Sequence, residues 1–152
     1  MKNKKIYISI LLLIIFICIP TFGNVFNDKN NFKEKGYEIG NVERVIDGDT
    51  IIVNTGYESF PIRLYGIDCM ETSKNHRAYH QAYDNNIKID EVLEKGKSAT
   101  KELKKIINNN KSIIYFKTAG IDKYSRILGI IYDKDFNNIN TQMTNYCSEY
   151  KP

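Results

Sequence analysis

The sequence predicts an α+β fold that is mainly β, a small five-stranded Greek-key barrel with two or three helices. Three observations carry that expectation. Short runs of β-branched and aromatic residues recur between turn signals over residues 41–65; one long amphipathic stretch follows at 89–110; two more β-rich runs come after it, at 112–117 and 126–132. Five short strands with a helix between the third and the fourth are the order of a small closed barrel.

Each element has a local reason. "NVERVI", "TIIVN" and "SFPIRLY" are runs of β-formers separated by Asp47-Gly48 and Thr55-Gly56, so they read as a three-stranded meander. The two-residue period of a strand puts Phe60, Ile62 and Leu64 on one face and Arg63 on the other. In "IDEVLEKGKSATKELKKIINNN", Val92, Ala99, Leu103, Ile106 and Ile107 fall at spacings near three, four and seven, with Lys and Glu between them. That is an amphipathic helix ending in an Asn run, either continuous or interrupted at Gly96. "SIIYFK" and "RILGIIY" are the last two strands, joined by the polar loop "TAGIDKYS", and a short helix is expected over Asn138 to Tyr146. This order is that of the OB-fold.

The first residues stand apart. "MKNKKIYISILLLIIFICIPTFGN" places Lys2, Lys4 and Lys5 before an apolar run from Ile6 to Ile19, followed by Pro20 and by small residues around Phe22. That order matches a secretory signal peptide, residues 1–23, and the run is shorter than the roughly 20 residues that span a bilayer. The alternative is an uncleaved membrane anchor. Residues 24–40 are polar and aperiodic and read as a flexible lead-in, leaving 41–152 as the folded domain. The expected location is secreted, periplasmic or cell-surface.

Removing the leader changes the charge. The whole chain has 22 Lys and Arg against 18 Asp and Glu. Three of the Lys and none of the acids lie in residues 1–23, so the remainder carries 19 cations against 18 anions. A net charge of +1 says little about a polyanionic partner, and any case for nucleic acid rests on where particular charges sit. Two cysteines survive cleavage, Cys69 and Cys147. An oxidising compartment permits a bond between them, but one distant pair leaves both the disulfide and two free thiols open.

The charges of interest fall in three places. In "RVIDGDTIIV", Asp-Gly is a hairpin signal, but Asp49 opens a strand, where Asp is a poor residue. Arg63, Asp68 and Glu71 lie in "RLYGIDCME"; Asp122, Lys123, Tyr124 and Arg126 lie in "DKYSR". A closed barrel could bring these ends to one rim. Carboxylates gathered there would repel one another unless protonated, paired or sharing a cation, and hard oxygen ligands select calcium or magnesium. Attack on a phosphodiester needs charge stabilisation on the phosphate oxygens and a base for water. Arg63 and Arg126 suit the first role, since a guanidinium grips two phosphate oxygens at once, and Glu71 suits the second.

"DGDT" at 47–50, "RLYGIDCME" at 63–71 and "DKYSR" at 122–126, in this order, resemble the staphylococcal nuclease (thermonuclease) family over about residues 41–150. The resemblance implies a secreted, calcium-dependent endonuclease on an OB-fold. Such an enzyme hydrolyses single-stranded or locally melted DNA and RNA and leaves 3′-phosphate ends. Carried over by position, it implies that Asp49 and Asp68 bind Ca2+ through carboxylates and Cys69 through its backbone carbonyl. Glu71 is then the general base, Arg63 and Arg126 hold the phosphate, and Lys123 and Tyr124 touch the nucleotide. The chain departs from the best-known member at Cys69, Met70 and Ser125, where that member has Thr, Pro and Gly. It is longer between Glu71 and Lys97 and ends before that member's final helix, leaving Tyr150 as the candidate aromatic for stacking on a base.

Other signals favour plainer readings. His76 and His80 are one helical turn apart without the Glu of an H-E-x-x-H motif, so they are expected to be exposed rather than metal-bound. Arg77 is a candidate substrate contact. Nothing demands more than a monomer. The rival function is a non-catalytic OB-fold that holds single strands by stacking and backbone charge, and it has no use for a general base.

Overall fold

The computed structural model describes residues 35–149. The expected signal peptide, most of the lead-in, and Tyr150 lie outside the described residues.

Five strands close the barrel in the order β1-β2-β3-β6-β5: β1 (Glu38–Val45), β2 (Thr50–Asn54), β3 (Ser59–Leu64), β5 (Ile113–Ile121) and β6 (Ile127–Tyr132). All neighbours are antiparallel except β3 and β6, which run parallel; β1 against β5 completes the closure. Closure removes the exposed sheet edges that a five-stranded meander would otherwise present. A two-stranded ribbon pairs β4 (Ile67–Asp68) with β7 (Ser148–Glu149), and the helices among the described residues are α1 (His76–Asp84), α2 (Ile89–Asn109) and α3 (Ile139–Met143).

The core follows the expected periods. Ile51, Val53, Ile62, Leu64, Ile114, Phe116 and Ile131 fill the barrel, and Ala99, Leu103 and Ile107 from α2 join the same apolar cluster with Ile139 and Met143 from α3. Burying each large aliphatic side chain contributes about 1.5–3 kcal/mol. Arg63 points away from Ile62 and Leu64 as its odd position requires, yet it is only 8 % exposed.

Several features differ from the sequence reading, among them the β4–β7 ribbon and the extension of β5 to Ile121, into the stretch read as a polar loop. Strand β1 starts at Glu38, three residues before Asn41, because Glu38 to Gly40 pair with Phe116 to Ile114 of β5. Helix α2 runs unbroken through Gly96. The glycine is needed for space: a Cβ there would lie 2.3 Å from the Glu71 carbonyl oxygen and 2.5 Å from that of Met70. Helix α1 lies where the sequence predicts no element, since it buries only Ala78 and so has little apolar periodicity to read. Helix α3 covers five residues rather than the nine of Asn138 to Tyr146.

Cys69 and Cys147 form a disulfide across 78 residues of chain, so the bonded alternative holds. It ties the end of β4 to the start of β7. The Asp47-Gly48 turn packs onto this bond, where a Cβ on Gly48 would meet Cys69 Sγ at 2.8 Å and Ala99 Cβ at 2.7 Å. The tight turn read from the sequence is therefore also a close approach of backbone to helix α2.

Candidate active site

Asp49 answers the question raised by its position. In the β2–β3 ladder Thr50 is paired with Arg63, and the Leu64 N–H donates to the Asp49 carbonyl at 2.7 Å, so the residue before β2 stands beside β3. Arg63 Nη1 donates to Asp49 Oδ1 at 2.5 Å, and Arg63 Nη2 donates to Asp68 Oδ1 at 2.5 Å. One guanidinium thus bridges two carboxylates that are 19 positions apart in sequence. Asp49 also accepts from the Thr50 hydroxyl at 2.9 Å and, through Oδ2, from the Cys69 N–H at 2.8 Å. Burial, and next the charge of Asp47, push the Asp49 carboxyl up to about 6, against the opposing pull of Arg63, Cys69 and Thr50. A buried acid with a second acid behind it favours an added positive charge.

Glu71 is held by helix α1. Its Oε2 accepts from Asn75 Nδ2 at 2.7 Å, its Oε1 is 3.4 Å from Arg77 Nη1, and its N–H donates to Gln81 Oε1 at 2.9 Å. Gln81 Nε2 in turn donates to the Cys69 carbonyl at 3.0 Å. Asn75 is the N-cap of α1, accepting from the Ala78 N–H at 2.8 Å. Arg77 also donates to Asp68, so it links the Asp68 and Glu71 carboxylates.

The "DKYSR" loop is organised by Asp122. Its Oδ1 accepts the backbone N–H groups of Tyr124 and Arg126, both at 2.9 Å, and its Oδ2 accepts Arg126 Nε at 2.8 Å and Nη2 at 2.7 Å. Burial pushes this carboxyl up, but the backbone and side-chain hydrogen bonds of Arg126 and the Tyr124 N–H outweigh it and hold it below the usual range. Ser125 takes φ 61, so it occupies the left-handed conformation that a glycine would adopt freely. Lys123 Nζ and the Arg126 guanidinium lie 5.1 and 5.4 Å from the Tyr124 ring centre. Those are cation–π distances.

These groups meet at a cleft of about 560 Å³ whose wall includes Arg63, Asp68, Arg77, Asp122, Lys123, Tyr124 and Arg126, with Ile121 and Leu128. Four cationic side chains face two carboxylates there. The structure therefore brings Arg63, Asp68, Lys123, Tyr124 and Arg126 to one surface, and it joins Asp49 to that surface through Arg63. Glu71 does not line the cleft and reaches it through Arg77. His76 and His80 stack edge to face at 4.5 Å, and among the described residues no three His, Cys, Asp or Glu side chains gather into a metal cluster.

Sequence reasoning missed Asn75 and Gln81 and did not see what Asp122 does for Arg126. Asn75 had a readable signal, an Asn three residues before the buried Ala78, as an N-cap would be. Gln81 had none, because its partners are backbone groups ten and twelve residues away.

The family described as staphylococcal nuclease homologue matches residues 61–146, a span that contains Arg63, Asp68, Glu71 and Arg126. A thermonuclease of Staphylococcus intermedius is 31% identical over 140 residues, covering 88% of this chain and 75% of that one. A thermonuclease of Staphylococcus hyicus is 28% identical over 134 residues, 85% of this chain and 71% of its own. An uncharacterized endonuclease of Escherichia coli is 30% identical over 105 residues, 68% of this chain and 54% of its own. With the closed five-stranded barrel and the family match over more than half of its length, the chain belongs to the staphylococcal nuclease family and is a nuclease-type hydrolase.

Proposed function

We propose that the protein is an exported, calcium-dependent endonuclease that hydrolyses phosphodiester bonds of DNA and RNA, single-stranded or locally melted, and leaves 3′-phosphate ends. The observation that carries this reading is the cleft in which Arg63 and Arg126 share one wall with Asp68, next to the buried Asp49.

The donor set fits a hard divalent cation. Asp49 and Asp68 offer carboxylate oxygens close enough for one guanidinium to touch both, the Cys69 carbonyl has a second lone pair beyond its bond to Gln81, and so small a set leaves room for water. Asp49, Asp68 and Cys69 would hold the ion, and when bound it supplies positive charge to the phosphate oxygens.

The chain's own residues supply the rest. Arg63 and Arg126 are guanidiniums that can each grip two phosphate oxygens, and their charge offsets the negative charge that builds as phosphorus is attacked. Glu71 accepts the proton of the attacking water at its carboxylate. Lys123 and Tyr124, on the exposed rim, contact the nucleotide, with Tyr124 offering a face for base stacking. Export rests on the order of Lys2, Lys4 and Lys5, the apolar run and Pro20, and on a disulfide suited to an oxidising compartment.

The test is digestion of heat-denatured DNA by the purified protein with calcium and then with excess chelator. Degradation that needs calcium and stops on chelation is expected. Degradation that continues in chelator would remove the metal from the mechanism.

A further inference from the structure

We propose that Gln81, on helix α1 between Glu71 and α2, is a positioning residue that fixes the Glu71 carboxylate for proton transfer, with Asn75 as its second anchor. This rests on the reading of Glu71 as base.

The segment carrying Glu71 has little of its own to hold it. Met70, which follows disulfide-bonded Cys69, imposes no fixed φ of the kind a proline would. No strand or helix includes residues 69 to 75. Rigidity comes from outside, on two sides. On one side Gly96 lets the Met70 and Glu71 carbonyls lie against α2 with no side chain between. On the other, the Gln81 amide makes two opposed hydrogen bonds, accepting from the Glu71 N–H and donating to the Cys69 carbonyl, so it spans the backbone on both sides of Met70.

Two bonds from one planar amide fix both the position and the rotation of that short backbone segment. The carboxylate is then oriented from the start of the same helix: Asn75 uses Oδ1 to cap α1 and Nδ2 to hold Glu71 Oε2. Helix α1 and the base are thereby one unit. Helix α1 thus orients a group which does not itself line the cleft. Misplacing a reacting group by about 1 Å can cost about 100-fold in rate. A positioning role therefore predicts a loss in kcat with substrate binding retained.

The experiment compares the wild-type chain with Gln81→Met, which keeps length and helix propensity but removes both hydrogen bonds. Expected are a fall in kcat of about 10- to 100-fold, a KM for denatured DNA within about twofold, and faster hydrogen exchange at the Glu71 amide. In a Glu71→Gln background the same change should cost almost nothing further, because groups acting as a unit are not additive. Asn75→Ser serves if the first variant does not fold, since Ser caps a helix as Asn does while the Nδ2 donor to Glu71 is lost and no charge is added beside it; it should show the same kcat-selective defect. Unchanged kcat and amide exchange in both variants would overturn the positioning role, as would a full-sized further loss in the Glu71→Gln background. Full activity of Glu71→Gln alone would instead sink the base assignment beneath it.

Discussion

The Arg63 guanidinium and the Asp49 carboxylate meet at 2.5 Å with both side chains almost wholly out of solvent, at 10 % and 3 % exposure. The pair forms because β2 and β3 are in register, and it places a cation at the head of the cleft and an acid directly behind it. Removing one partner of a buried pair leaves the other charge uncompensated, at a cost of about 3–5 kcal/mol. Arg63→Met should therefore lose about that much stability in urea denaturation as well as its activity. Arg63→Lys should recover much of the stability but not the turnover, since an ammonium cannot bridge Asp49 and Asp68 in the same plane. Equal stability of wild type and Arg63→Met would contradict the bridge.

Asp49 gives a pH dependence of unusual sign. Its folded carboxyl is raised to about 6 from 3.8, first by burial and then by Asp47. Between those values the folded chain binds a proton that the unfolded chain has released, so stability is fully present below pH ~4 and is lost as pH rises through ~6. In metal-free buffer the stability of wild type relative to Asp49→Asn should fall across that window. A difference that stays flat from pH 4 to 7 would show that Arg63 and the other donors hold Asp49 ionised throughout.

Arg126 is aligned by Asp122 through Nε and Nη2, with Ser125 in a left-handed turn between them. Lysine keeps the charge but has no fork with which to contact a carboxylate and a phosphate together. Arg126→Lys should lower kcat about 100-fold with a melting temperature near that of wild type. Near-normal kinetics would count against a bidentate phosphate contact.

The disulfide between Cys69 and Cys147 closes a 78-residue separation, for which loop-closure entropy predicts about 4.5 kcal/mol. Cys147→Ser should lower stability by about 2–4 kcal/mol. It should also lower activity beyond the unfolded fraction, because Cys69 donates to Asp49 and accepts from Gln81. An activity loss that merely tracks unfolding would confine the bond to stability.

The five barrel strands and α2 were legible because each buries a regular face: Phe60, Ile62 and Leu64 at the two-residue period, and Val92, Ala99, Leu103 and Ile107 at the helical one. β4 and β7, of two residues each, are too short to carry a period, and α1 is held by polar contacts more than by buried apolar area. Within the candidate site, Asp49, Arg63, Asp68 and Arg126 could be named from the motifs; Arg63, Asp68 and Arg126 line one cleft, and Asp49 is bonded to Arg63. The hold on Glu71 could not. Asn75, Arg77 and Gln81 act through hydrogen bonds and ion pairs between distant residues, and hydrophobic patterning does not report those.

The most direct test is Glu71→Gln, which removes the proton acceptor while leaving a side chain of nearly the same shape for Asn75 to hold. DNA affinity and thermal stability within about twofold and a few degrees of wild type, with kcat lowered at least about 100-fold, are the expected results. Undiminished hydrolysis of denatured DNA in calcium would contradict the account.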